Sequence, residues 1–134
     1  LRHNSRSYIF SASNTPAATA AARAALEIMK SEPERIQHLW DMTHYSLKRF
    51  RDLGFEIGHT STPIIPLYVR DMEKTFMVTK MLFDEGVFVN PVVPPACSPN
   101  DTLIRFSLMA THTQEQIDIA IDKLATCFKK LSII

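Results

Sequence analysis

After Gly54 the hydrophobic period of the chain changes, and that change limits the folds open to it. Up to Gly54 apolar residues recur at helical spacing; beyond it, short β-rich runs alternate with further helical stretches. "PIIPLYV" (63–69), "VFVNPVV" (87–93) and "TLIRFSLMA" (102–110) read as three strands. So few strands build only a small sheet, and the helices between them must supply its cover. Pro66 inside the first run places that strand near a sheet edge or at a bulge.

The helices are marked by their ends. Residues 16–30, "PAATAAARAALEIMK", start with Pro16 behind a capping Thr15, and Ala18, Ala22, Leu26 and Met29 repeat on one side. A second helix spans 33–53, with Ser31 as candidate cap. Ile36, Leu39, Trp40, Thr43, Leu47 and Phe50 mark its face, and Gly54 stops it. Asp71 caps a third over 72–85, with Met72, Phe76, Thr79 and Leu82–Phe83 inward. Thr113 caps the last, 114–131, whose stripe is Ile117, Ala120, Ile121, Leu124, Phe128 and Leu131. The order helix, helix, strand, helix, strand, strand, helix predicts helices packed on a small mixed sheet. A further strand over 5–11 leads into the body.

At 134 residues the chain is one domain with a modest core. A net charge of +1 and no basic stripe argue against nucleic acid as partner. Its apolar runs fall well short of the ~20 residues that span a bilayer. "LRHNSRSYIF" has no signal-peptide pattern. Two cysteines, Cys97 and Cys127, make no disulfide framework and point to a cytoplasmic setting. The chain starts at Leu1 rather than Met and reads as a piece of something longer.

Chemistry has few places to sit. The glycines, Gly54, Gly58 and Gly86, form no phosphate loop, and the five histidines lack ligand spacing, so no metal is expected. Cys127 and the methionines Met72, Met77 and Met81 read as packing. Two stretches stay open. "YIFSASNTP" (8–16) brings Ser11 and Ser13 to a helix N-terminus, which is either an anion site or a plain capped turn. "IRFSLMATHT" (104–113) carries Arg105 in an apolar strand. That guanidinium either faces water or waits for a carboxylate.

"YIFSASNTP" and "GVFVNPVVPPACSPNDTLIRFSLMATHTQEQID", in this order and separation, resemble the C-terminal part of the α-oxoamine synthases. That family belongs to the fold-type I enzymes dependent on pyridoxal 5′-phosphate. Its members include serine palmitoyltransferase, 8-amino-7-oxononanoate synthase and 2-amino-3-ketobutyrate CoA ligase. The resemblance implies that residues 1–134 are the C-terminal small domain with its lead-in segment, an α+β unit with helices on a small, largely antiparallel sheet. It implies a decarboxylative condensation of an amino acid with an acyl-CoA, carried out by a homodimer. Arg105 then holds the amino acid's carboxylate. Ser11, through hydroxyl or amide, and Ala12, through its amide, meet the cofactor phosphate of the partner subunit. His112 takes a structural role.

Departures from the family pattern are Leu103, where many members carry a first arginine, Asn100 for a glycine, Val93 for an arginine and Ala96 for a threonine. The first looks more like serine palmitoyltransferase; 8-amino-7-oxononanoate synthase and 2-amino-3-ketobutyrate CoA ligase are the alternatives. The lysine, aspartate and histidine that work on the cofactor ring belong to the family's large domain, so no catalytic residue is expected here and this piece alone should be inert without bound cofactor. A rival of another class is a non-catalytic scaffold or interaction subunit. An upstream "T-x-x-K" motif would separate the two.

Overall fold

The computed structural model describes Asn4 and residues 14–134. The expected strand at 5–11, Ser11 and Ala12 lie outside the described residues. The chain divides into two compact units, Leu1–Ile36 and Gln37–Ile134.

The first unit contains α1, Pro16–Ser31. Thr15 caps it, its Oγ1 accepting from the Ala18 amide at 3.3 Å, and Pro16 takes the first turn, where no amide is needed. Ser31 does not cap the next helix as expected. It closes α1 instead, donating its hydroxyl to Glu27 O at 2.9 Å, because the helix runs one residue further and leaves Ser31 inside its last turn. No residue of α1 is buried.

α2, Glu34–Asp52, carries the chain into the second unit. Its buried residues are Thr43, Ser46, Leu47 and Phe50, with Leu39 and Met42 packed against the core at its edge; Ile36 and Trp40, expected on the buried face, are exposed. Gly54 ends the helix at φ +83°, a left-handed position that glycine takes without a Cβ clash.

β1 (Ile64–Tyr68), β2 (Asn90–Val92) and β3 (Leu103–Ser107) form a fully antiparallel sheet in the order β1-β3-β2. The expected mixed sheet is thus corrected to an antiparallel one, and β2 is shorter than the run 87–93 suggested. β1 is an edge strand, one of the two positions its proline allows. The Tyr68 amide points outward to Glu56 O at 2.9 Å, and the Pro66 nitrogen, two residues back, shares that outer side, so β3 loses no hydrogen bond.

α3 (Met72–Asp84) is capped by Asp71, whose carboxylate accepts from the Lys74 amide at 2.8 Å. Its buried residues are Thr75, Val78 and Leu82, whereas Met72, Phe76, Met77 and Phe83 are exposed. The expected inward face was rotated: α3 is apolar on two sides, and its period alone does not choose between them. Met72 and Met77 are therefore not core packing. α4 (Gln114–Lys130) starts in a full capping box between Thr113 and Gln116 and buries Ile117, Ile121, Leu124, Ala125, Cys127 and Phe128. Phe50, Phe55, Phe106 and Phe128 meet ring against ring, centroids 4.8–5.1 Å apart, and join α2, β3 and α4 in one core. Among the described residues no helix is long and apolar enough to cross a membrane.

Candidate functional site

Strand alternation sets the site. Ile104 and Phe106 of β3 and Ile65 and Leu67 of β1 point into the core, so the residues between them form the sheet's other face. That face carries Arg105 at its centre, opposite Pro66 on one side and Asn90 on the other. Arg105 is exposed, and among the described residues no carboxylate lies within 4.0 Å of it. Other arginines are engaged: Arg49 with Asp118 and Asp122, both at 2.8 Å, and Arg70 with Glu56 and Asp101.

Arg105 lines an open groove of about 580 Å³ together with Phe88, Asn90, Met109, His112 and Lys123. The groove is cationic at its rim and apolar along its wall. Lys123 donates to the Glu85 carbonyl at the end of α3 and is held there. His112 closes the turn after β3. Its Nδ1 accepts the Met109 amide at 3.2 Å, and its carbonyl accepts from His38 Nε2 at 2.9 Å. An amide only donates and a carbonyl only accepts, so the protonated nitrogens are Nε2 of each ring when the rings are neutral. The structural role expected for His112 agrees with these bonds.

The structure brings together one sequence-predicted residue, Arg105, with two that sequence reasoning passed over, Asn90 and Lys123. Asn90 could have been found by pairing the strands, because it faces Arg105 across the ladder. Lys123 lies on the α4 flank and gave no local signal. Cys97 is half-buried beside Val92 O, away from this groove's lining. The donors available, a guanidinium fork beside a carboxamide, suit a carboxylate.

The sequence pattern of the family described as aminotransferase class I and II matches residues 1–124. A serine palmitoyltransferase of Bacteroides thetaiotaomicron is 69% identical over 134 residues, all of this chain and 34% of that protein. An 8-amino-7-oxononanoate synthase of Bacillus pumilus is 38% identical over 134 residues, with the same two coverages, 100% and 34%. A solved serine palmitoyltransferase from S. paucimobilis with a bound PLP–myriocin aldimine superposes with a TM-score of 0.87 at 27% identity, covering 99% of this chain and 34% of that one. The chain thus spans about a third of the length of the curated relatives it matches. The four α-helices and small antiparallel sheet of the described residues are the C-terminal fold of fold-type I PLP-dependent enzymes. This chain belongs to the aminotransferase class I and II family.

Proposed function

We propose that residues 1–134 are the C-terminal small domain, with its lead-in segment, of a pyridoxal-phosphate-dependent acyltransferase that condenses serine with a long-chain acyl-CoA. The observation that carries this reading is Arg105: exposed, centred on the open sheet face, and without a carboxylate partner among the described residues. The identity of 69% to a serine palmitoyltransferase supports serine over alanine or glycine. The complete protein is read as a cytoplasmic homodimer with no nucleic-acid partner.

In this reading one part of the chain meets the cofactor's substrate and another meets its phosphate. The fork of Arg105, with Asn90 beside it, binds the amino acid's carboxylate and fixes its orientation as well as its charge. Ser11, through its hydroxyl or amide, and Ala12, through its amide, supply donors to the cofactor phosphate across the dimer. When bound, the cofactor supplies an electron sink for the amino acid's α-carbon. Phe88 and Met109 give the same open groove an apolar wall beside that carboxylate.

Serine, glycine and alanine should be titrated separately into full-length, cofactor-loaded enzyme, and each binder offered short and long acyl-CoA while free CoA is followed. Serine with palmitoyl-CoA should turn over fastest. Alanine with pimeloyl-CoA would move the protein to 8-amino-7-oxononanoate synthase, and glycine with acetyl-CoA to 2-amino-3-ketobutyrate CoA ligase. No turnover with any pair would favour the scaffold reading.

A further inference from the structure

Arg70 follows β1 with φ +60°, a left-handed backbone that side chains other than Gly, Asn and Asp seldom adopt. A residue persists in that region only when its surroundings over-determine it. Here they do. The guanidinium grips both carboxylate oxygens of Glu56, with Nε to Oε2 at 2.8 Å. Its Nη1 donates to Asn100 O at 3.1 Å and to Asp101 Oδ1 at 3.0 Å, and the same fork lies over the Tyr68 ring, 4.8 Å from its centroid. The hydrogen bond from Arg70 holds the Glu56 carboxyl below the usual carboxylate range. The amides of Val69 and Arg70 both donate to Thr102 O at 3.0 Å.

These groups are about half exposed, between 46% and 53%, where ion pairs return little stability. Stability is therefore a poor reason for an arginine at a glycine-like position. Placement is a better one. Asn100 and Asp101 belong to the 3₁₀ turn Pro99–Asp101, Thr102 follows it directly, and β3 begins at Leu103. Tyr68, under the guanidinium, faces Leu103 in the ladder, and Leu103 is two residues from Arg105 on the same face.

We propose that Arg70 is a positioning residue. It ties the Pro99–Asp101 turn to the end of β1, fixes where β3 begins, and so sets the place from which Arg105 reaches the amino-acid carboxylate. This rests on the reading of Arg105 given above.

The test uses full-length, cofactor-loaded enzyme and three variants, Arg70→Gly, Arg70→Lys and Arg105→Ala. Glycine relieves the left-handed strain as it removes the fork, so this variant should keep its thermal midpoint. Hydrogen exchange at residues 98–104 should speed up in Arg70→Gly while α2 and α4 keep their protection. Its KM for serine should rise about tenfold with kcat within about twofold, less than the roughly hundredfold loss of a full ångström's misplacement. Arg70→Lys, charged but without the fork, should fall between glycine and the parent. Unchanged exchange at 98–104 overturns the clamp. Faster exchange with an unchanged serine KM overturns the positioning role. If Arg105→Ala leaves the serine KM unmoved, the reading of Arg105 fails, and the exchange result still reports on the clamp by itself.

Discussion

A guanidinium shows its use by what it touches. Arg49 spans α2 and α4 through Tyr45, Asp118 and Asp122, and Arg70 knots a turn to a strand end, whereas Arg105 meets no carboxylate among the described residues. Its exposure was legible in the sequence, since alternation in "LIRFS" sets it opposite to Ile104 and Phe106. The role proposed for it rests on the family resemblance. In the complete enzyme Arg105→Ala should weaken serine binding by about 2–5 kcal/mol, the range for removing one partner of a desolvated charge pair. Lysine should rescue only in part, and unchanged affinity in a serine titration would return Arg105 to a solvated strand residue. Cys127 illustrates the opposite case, a buried thiol read correctly as packing. Burial, and after it the charge of Glu85, pushes its pKa up. A raised folded-state value means that the stability it contributes is complete below the unfolded-state pKa of about 8.5 and is lost as pH rises through the folded one. Urea unfolding across the alkaline range should therefore steepen its loss in the parent relative to Cys127→Ala, and parallel pH curves would contradict this.

Helices whose ends carry chemistry were the easiest elements to place. Thr113 and Gln116 at α4, Thr15 at α1 and Asp71 at α3 each cap where the side chain's oxygen meets an orphan amide. Thr113→Ala should cost about 0.5–2 kcal/mol in chemical denaturation, and more than alanine at a mid-helix exposed position such as Thr126. Helix rotation was harder. α3 reads apolar at Met72, Phe76, Met77, Leu82 and Phe83, but the sheet and α4 take Thr75, Val78 and Leu82, and Lys74 pins the rotation by donating to Leu131 O at 2.9 Å. Neighbours in sequence, Leu82 and Phe83 are 0% and 63% exposed. Leu82→Ala should thus cost about 2–5 kcal/mol, against about 0.5 kcal/mol or less for Phe83→Ala. Equal losses would restore the rotation expected from periodicity.

At the scale of the whole molecule, the order of elements over the described residues was legible because the hydrophobic period switches cleanly, and the edge position of β1 is one of the two readings that Pro66 left open. The strand order β1-β3-β2 was not, because pairing depends on contacts far apart in sequence. Half of the expected site is likewise beyond a local reading: Ser11 and Ala12 act, in the proposed dimer, on a phosphate held by the other subunit. The chain spans about a third of its relatives' length, so its chemistry is read as shared with residues outside it. That division can be tested on the chain alone. Among the lysines, Lys123 lines the groove with Arg105, and its Nζ is taken up by the Glu85 carbonyl, where it completes the end of α3. A covalent link to an aldehyde there would have to break that bond. Mixed with pyridoxal 5′-phosphate, the chain should develop no saturable visible absorption, and borohydride followed by peptide mapping should find only scattered, substoichiometric labelling. A stoichiometric adduct at Lys123 would move the cofactor chemistry into this chain and overturn the assignment of Arg105 as its main functional residue.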